Sequence, residues 1–129
     1  MASDAKLWKV FSEFIRLRDS DDRGFSKCFT CDFRGEWKRF DAGHGIGRQH
    51  KSIKFDQRNV HSQCKRCNGF EGGQQAIYKE EVNKKYGPKI WDELTIKKNQ
   101  VCKRGQLEID VMTEYYKKEV LKLKKEKGL

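Results

Sequence analysis

Two short cysteine motifs, CFTC at residues 28–31 and CKRC at residues 64–67, decide how this chain can fold. Each motif is a Cys-x-x-Cys pair, and 32 residues separate the two pairs. Two such pairs supply four thiolates, the ligand set that holds a structural zinc ion in a tetrahedral shell. We therefore predict a structural Zn²⁺ site formed by Cys28, Cys31, Cys64 and Cys67. The alternative is a pair of redox-active motifs, which would need a thioredoxin-like strand and helix that the sequence does not indicate.

The amino-acid composition indicates a thin hydrophobic core. Of the 129 residues, 36% are hydrophobic and 37% are charged, so a single domain of this size needs an additional constraint on its fold. Metal binding contributes on the order of 10 kcal/mol to the folding of small zinc domains, which would offset the thin core. The fifth cysteine, Cys102, has no partner motif and is predicted to be a partly buried apolar residue.

The charge of the chain favours a polyanionic partner. There are 29 Lys and Arg residues against 19 Asp and Glu residues, which gives a net charge of +10. Nucleic acid is the commonest partner of such a surface, and solubility or an anionic membrane surface are the alternatives. No stretch approaches the roughly 20 apolar residues of a membrane span, and the first ten residues do not resemble a signal peptide. We expect a cytoplasmic protein without a membrane partner, whose thiols are kept reduced.

Hydrophobic periodicity divides the chain into three predicted parts. The N-terminal part, 1–24, contains an amphipathic helix over 5–18 that Ser3 or Asp4 could cap. The middle part, 25–87, is the predicted zinc-bearing core, and the C-terminal part, 88–129, is a basic helical arm. The apolar side of the first helix consists of Leu7, Phe11, Phe14 and Ile15.

Within the core, extended segments are predicted around 37–42 and 53–61, followed by a helix from Asn68 to about Tyr86. Gly87 and Pro88 end that helix. The arm is predicted to contain a short helix over 88–99 and a long one over 106–127. The partly apolar side of the long helix is assigned to Leu107, Val111, Tyr115 and Leu121.

The core also carries polar side chains suited to phosphodiester hydrolysis. His44 lies close to Asp41 in the sequence, and Asn68 and Glu71 lie at the predicted helix start. Such a histidine can take a proton from water, while carboxylate and amide oxygens suit a hard cation such as Mg²⁺. The cation would stabilise charge on the phosphate and on the leaving oxygen. Taken singly, His44 could be a structural histidine and Asn68 an ordinary helix cap, so the prediction rests on their combination.

The combination of DAGH at residues 41–44 with RNVHSQCKRCN at residues 58–68 resembles the NinG family of phage lambda, also called Rap. The likeness begins at about residue 10, includes EFIRLRD at residues 13–19, and extends to about residue 97. The stretch CKRCNGFEG at residues 64–72 is similar to phage recombination endonuclease VII. The resemblance implies an α+β fold, with a small zinc-stapled ββα-metal (His-Me finger, HNH-like) nuclease core flanked by N- and C-terminal helices. It also implies a structure-selective endonuclease that cuts Holliday junctions and D-loops.

The resemblance assigns roles to individual residues. His44 matches the general base at the end of the first strand, and Asn59 matches the residue that holds the loop and orients that histidine. The catalytic Mg²⁺ or Mn²⁺ would be held by Asp41, Asn68 and Glu71. Many relatives place the metal-binding Asp directly before the base, where this chain has Gly43, so the loop is expected to turn back for Asp41 to reach the metal. Asp41 could alternatively stabilise a turn.

The remaining histidines and the basic residues around the predicted site are assigned supporting roles. His61 could orient a phosphate or pack near the zinc, and we predict a supporting catalytic role rather than proton transfer. His50 is predicted to contact the DNA backbone. Phosphate contacts of this kind position a duplex without reading its sequence. The predicted DNA-binding set is Arg48, His50, Lys51, Lys54, Arg58, Lys65 and Arg66.

Three functions remain open from the sequence. The first is an endonuclease acting on branched or double-stranded DNA as a homodimer, because junction resolution needs paired cuts. The terminal helices, 5–18 and 106–127, are the predicted interface. The second is a sequence-specific or nicking HNH endonuclease, although no separate DNA-reading module is evident. The third is a non-catalytic zinc module that binds DNA or RNA. If the gene is carried by a phage, the protein would work in the host cytoplasm.

Overall fold

The chain folds into four α-helices and two short hairpins, and the computed structural model describes residues 1–70 and 74–129. Among the described residues, two single helical turns connect strands and a third follows the last strand. The helices are α1 (Asp4–Arg18), α2 (Gln75–Tyr86), α3 (Ile90–Lys98) and α4 (Gln106–Lys127). The strands are β1 (Phe25–Lys27), β2 (Arg34–Glu36), β3 (Phe40–His44) and β4 (Val60–Cys64). The turns are the 3-10 turns Trp37–Arg39 and Lys51–Ile53 and the π-helical turn Arg66–Phe70. This is the small α+β architecture that was expected.

Each sheet is a two-stranded antiparallel hairpin, and together they bring the cysteine pairs to one place. Strand β1 pairs with β2, and the first cysteine pair lies in the connection between them. Strand β3 pairs with β4 so that Phe40 lies opposite Cys64 and His44 lies opposite Val60. Because Cys64 is the last residue of β4, the second cysteine pair begins at the end of this hairpin.

Helix α1 forms as the sequence predicted. The Ser3 hydroxyl accepts a hydrogen bond from the Lys6 backbone N–H, which caps the first turn. Its apolar side packs against β3 and against α4, where the Phe11 and Tyr116 rings meet edge to face at 4.9 Å. The division into parts 1–24, 25–87 and 88–129 stays a prediction, and α1 joins the first part physically to the other two.

A second cluster of buried side chains lies beneath the long loop between β3 and β4. Ile53 from the loop packs against Tyr78 and Val82 of α2 and against Leu94 of α3. These four side chains are completely buried. Helices α2 and α3 therefore support the loop that leads away from His44.

Two predicted strand boundaries and one helix start were wrong. The segment 37–42 begins with the 3-10 turn Trp37–Arg39, and the segment 53–61 is largely a loop, so the ladder is confined to β3 and β4. The helix predicted from Asn68 starts instead at Gln75, after the π-helical turn Arg66–Phe70. The second cysteine pair explains the difference, because Cys67 is directed into the cysteine cluster and interrupts regular helix geometry.

The apolar side of α4 was also assigned wrongly. The side that faces α1 carries Thr113, Tyr116 and Val120, with Ile109, Met112 and Leu123 at its margins. The residues assigned from the sequence are all exposed on the opposite side: Leu107, Val111, Tyr115 and Leu121. Helix α4 has apolar residues on two sides, and periodicity alone does not tell which side packs inward. Within the described residues, no helix is long and apolar enough to cross a membrane.

Candidate metal centre and active-site cleft

The four cysteines of the two motifs converge into one cluster. The sulfur atoms of Cys28, Cys31, Cys64 and Cys67 all lie within 4.8 Å of one another. The Sγ atoms of Cys31 and Cys64 are 3.6 Å apart. A tetrahedral zinc ion with Zn–S bonds of about 2.3 Å separates its sulfur ligands by about 3.8 Å. The geometry and the all-sulfur donor set therefore fit a structural zinc ion.

Backbone amides support the cluster in the way that thiolate ligands require. The Cys64 N–H donates to Cys28 Sγ at 3.2 Å, and the Phe33 N–H donates to Cys31 Sγ at 3.4 Å. Burial raises the pKa of Cys28, but hydrogen bonds from Cys64 and Thr30 outweigh it and lower the pKa to about 7. Donors aimed at sulfur stabilise the anionic form that binds metal.

A polar cleft runs between α1 and β3 and is lined by one predicted catalytic residue, His44, and two predicted metal ligands, Asp41 and Asn68. Its two adjoining cavities have volumes of about 340 and 400 Å³ and share a wall made by Trp8, Ala42, Arg48 and Asn68. Asp41 lines the first cavity and His44 lines the second. Residues distant in the sequence are thereby brought to one groove, with Asn68 between the histidine and the aspartate.

His44 is held as a neutral base at the end of β3. Its Nε2 lies 3.0 Å from the Lys54 carbonyl oxygen, and because a carbonyl can only accept, Nε2 carries the proton. Nδ1 is then the unprotonated nitrogen. The imidazole stacks on Trp8 with ring centroids 4.9 Å apart. Burial, together with the charges of Arg48 and Lys54, lowers the pKa of His44 to about 4, so the ring is neutral at pH 7.

Asp41 and Asn68 form the oxygen-donor part of the cleft. Asn68 Nδ2 donates to Asp41 Oδ2 at 3.2 Å, and the Lys65 ammonium pairs with Asp41 Oδ1. A cation therefore already sits on this carboxylate. The expectation that the loop turns back at Gly43 was wrong, because β3 is continuous from Phe40 to His44. The predicted ligand Glu71 lies outside the described residues.

Asn59 is completely buried and holds the start of the loop after His44. Its side chain makes two hydrogen bonds to the Ile46 backbone. Oδ1 accepts from the Ile46 N–H at 2.8 Å, and Nδ2 donates to the Ile46 carbonyl at 2.9 Å. The Gly45 N–H donates to the Asn59 carbonyl at 2.9 Å. The same loop supplies Lys54, whose carbonyl fixes the His44 tautomer. Asn59 thus fixes the backbone of the residues that directly follow His44.

His61 lies in the interior rather than in the cleft. It is completely buried and stacks on Phe29 at 3.9 Å. The Tyr78 hydroxyl donates to the Gly43 carbonyl at 2.7 Å, so it accepts at 2.9 Å from His61 Nδ1. His61 Nε2 then accepts from the Tyr86 hydroxyl at 2.7 Å. This chain of hydrogen bonds ends on the carbonyl of Gly43, the residue before His44, so among the described residues it links His61 to the backbone beside the cleft.

Comparison with known proteins identifies the family to which the chain belongs. A family model described as the bacteriophage lambda NinG protein matches residues 3–126. The chain belongs to the NinG family. It is 32% identical over 95 residues to Protein ninG of Escherichia phage 933W, across 71% of this chain and 44% of the relative. Identity to Protein ninG of Escherichia phage lambda is 31% over 95 residues, across 71% and 43%. The chain spans less than half the length of these curated relatives, and no solved structure matches it.

The predicted DNA-binding residues of this NinG-family chain are distributed unevenly. Arg48 is exposed, lines both cavities and makes no ion pair within residues 1–70 and 74–129. Arg58 is engaged with Asp56 at 3.1 Å and with Glu93 at 3.2 Å, on the side of α3. The others lie around the loop or the cysteine cluster: His50 is half-buried, Lys51 is exposed, Lys54 pairs with Asp4, Lys65 pairs with Asp41, and Arg66 flanks Cys31.

Sequence reasoning missed the α1 wall of the cleft. Trp8, Ser12 and Arg16 line it from one stripe of the helix. Their spacing of four residues was the available signal, because residues at i, i+4 and i+8 share a helix face. The Arg16 guanidinium lies over the Trp37 ring at 5.2 Å. Burial lowers the pKa of Arg16, although nearby Glu13 and Asp41 oppose the shift. A half-buried arginine beside Asp41 is suited to bind a phosphate oxygen.

Proposed function

We propose that this NinG-family protein is a metal-dependent DNA endonuclease that cuts branched recombination intermediates such as Holliday junctions and D-loops. In this proposal β3, β4 and the helical turn Arg66–Phe70 form a ββα-metal core fixed by a structural zinc. The single observation that carries the proposal is the cleft arrangement of His44. Its Nε2 proton is committed to the Lys54 carbonyl, and its ring lines a cavity that adjoins the one lined by Asp41, with Asn68 in the wall common to both.

The oxygen donors in the cleft fit a catalytic divalent cation. Asp41 and Asn68 lie side by side, and the Lys65 ammonium on Asp41 marks a position where positive charge is already favourable. Asp41 and Asn68 would hold Mg²⁺ or Mn²⁺, with Glu71 as a further candidate ligand, and hard cations of this kind prefer such donors. When bound, the cation would neutralise charge on the phosphate and on the leaving oxygen.

The protein side chains account for the remaining chemistry. His44 Nδ1 takes a proton from a water molecule as the water oxygen bonds to phosphorus. The bond between phosphorus and the 3′ oxygen breaks, and that oxygen gains a proton from solvent, which leaves 5′-phosphate and 3′-hydroxyl ends. Arg16 and Arg48 hold the non-bridging phosphate oxygens from the two sides of the cleft. Asn59 keeps the loop, and therefore His44, in this orientation.

Charge and sequence resemblance support DNA as the substrate. The chain has a net charge of +10, which favours the phosphate backbone. Branched DNA is proposed because the cysteine and asparagine motif resembles that of recombination endonuclease VII. Paired cuts on a junction need two active sites, so we propose a homodimer.

A cleavage assay on matched substrates tests the proposal. Purified protein is mixed with a labelled four-way junction or with linear duplex of the same arm sequence, in Mg²⁺ or in EDTA. We expect cleavage of the junction in preference to the duplex, dependent on Mg²⁺ and absent in His44→Ala. Zinc content and junction affinity of the variant serve as controls, because both should equal those of the wild type.

Each alternative function gives a different result. Equal cutting of junction and duplex would indicate a general or nicking HNH nuclease. Tight binding without cleavage in Mg²⁺ or Mn²⁺ would indicate a zinc-containing binding module. Normal cleavage by His44→Ala would remove the proposed base.

A further inference from the structure

Helix α4 has a second apolar side that no described residue covers. Leu107, Val111, Tyr115 and Leu121 are 78, 60, 51 and 68% exposed. At 100° per residue they fall within one stripe, on the side opposite the residues that pack on α1. The outer face of α4 is defined here as this stripe together with Asp110, Glu114, Lys118 and Lys122. Four large apolar side chains exposed along one helix indicate a binding surface.

The charged residues of the outer face are ordered along the helix. The acidic members, Asp110 and Glu114, lie in its N-terminal half, and the basic members, Lys118 and Lys122, lie in its C-terminal half. A second copy in the same direction would bring Lys118 against Lys118. A second copy in the opposite direction brings Asp110 and Glu114 against Lys122 and Lys118. Within one chain Asp110 accepts from the Ala2 N–H at 2.8 Å and Glu114 pairs with Lys117 at 3.3 Å, so these carboxylates would share their partners with the second copy.

One antiparallel register pairs the acidic with the basic residues of the outer face and brings two of its four apolar residues together. With a two-fold axis level with position 116, Val111 lies opposite Leu121, Glu114 opposite Lys118, and Asp110 opposite Lys122. In the same register Leu107 lies opposite Lys125 and Tyr115 opposite Lys117, and the methylene chains of these lysines would cover them. Each pairing then occurs twice, because a two-fold interface uses the same patch on both copies. The acidic and basic residues of the outer face are thus complementary in the antiparallel direction and not in the parallel one.

We propose that two copies of this chain associate through the outer faces of α4, packed antiparallel in this register. The proposed partner is a second copy of the chain, because the acidic half of the outer face can pair with the basic half of the same face on another α4. The interface leaves the cleft open, because the outer face lines neither cleft cavity and α1 lies between α4 and β3. This inference rests on the proposed homodimer and names the surface through which its two copies would bind each other.

The test measures association and needs no cleavage. Sedimentation velocity from about 1 to 100 µM should show the wild type approaching twice the 15.3 kDa of one chain. Glu114→Lys should weaken association by on the order of 10-fold or more, since both Glu114–Lys118 pairs become repulsive. Glu114→Lys with Lys118→Glu should restore it. Glu80→Lys, an equal charge change at an exposed site on α2, is the matched control and should associate like the wild type.

A third variant and a fold check make the outcomes decisive. Leu121→Glu should also dissociate the pair, and circular dichroism should show unchanged helicity, because residue 121 is already 68% exposed. A wild type that stays monomeric over this range would overturn the inference. So would a dimer that none of the α4 substitutions weakens, or a double variant that fails to recover. None of these results bears on whether the cleft cuts DNA.

Discussion

Replacing Trp8 with Ala should raise the pKa of His44 and shift the acidic limb of the cleavage profile. The stacked indole, 4.9 Å from the imidazole, is part of the burial that lowers this pKa from 6.5 to about 4. Removing it admits water to one ring face, so the charged form becomes less costly. The shift should be roughly 1.5 to 2 units towards the ordinary value. Trp8→Phe keeps a stacked ring and should behave like the wild type.

The consequence for activity follows from the neutral fraction of His44. Proton transfer needs the neutral form, so the rate is present above the pKa and is lost as the pH falls through it. At pH 5.5 about 97% of the ring is neutral for a pKa of 4, against roughly 25–50% for a pKa of 5.5–6. The wild-type cleavage rate should therefore stay level between pH 7.5 and 5.5. The Trp8→Ala rate should fall by about 2- to 4-fold over the same interval.

Two measurements check this shift. Imidazole NMR resonances give the His44 pKa directly, and with three histidines in the chain each can be assigned by substitution. Single-turnover cleavage of a labelled junction gives the rate at each pH, with DNA binding measured separately. The reasoning would be refuted if wild-type His44 titrated near 6.5, or if Trp8→Ala left the titration unchanged.

Three other expectations concern the zinc site, the backbone behind His44 and the DNA contacts. Cys64→Ser should abolish stoichiometric zinc binding and cooperative unfolding, and a stable, zinc-free active variant would contradict a structural zinc. Tyr78→Phe removes the donor to the Gly43 carbonyl. It should lower the free energy of unfolding, measured in urea, by about 1–2 kcal/mol. It should also lower kcat more than it raises KM. Arg48→Ala should reduce the slope of log DNA affinity against log salt concentration by about 1. Lys103→Ala, at an exposed site, should leave that slope unchanged. Equal slopes for the two variants would place Arg48 away from phosphate.

The sequence predicted those features that depend on local pattern. The ends of α4 were predicted at residues 106 and 127 as observed, and the first cap at Ser3 is confirmed. The cysteine cluster was predicted because Cys-x-x-Cys spacing leaves little freedom in how the sulfurs can meet. The strand boundaries were not predicted correctly, because the burial of Trp37 and the turn at Lys51–Ile53 depend on contacts with residues distant in the sequence.

The candidate site was predicted only in part for a similar reason. His44, Asp41 and Asn68 were predicted from motif order, and their shared cleft agrees with that grouping. The wall formed by Trp8 and Arg16 comes from a helix more than twenty residues earlier, and its approach to β3 is a result of core packing. A motif specifies which residues meet, whereas the environment that shifts the pKa of His44 arises from the tertiary fold.

The glycine before His44 explains why the carboxylate of the cleft comes from Asp41. A Cβ atom at Gly43 would lie 1.9 Å from the Gln63 side-chain oxygen, so a side chain there would require the buried Gln63 side chain to move. The same Cβ would point towards Asn68, at 3.0 Å from its side-chain oxygen. Side chains two residues apart on a strand share a face. Asp41 is therefore the nearest upstream position that can offer a carboxylate to Asn68, and its hydrogen bond with Asn68 follows from strand geometry without any turn in the loop.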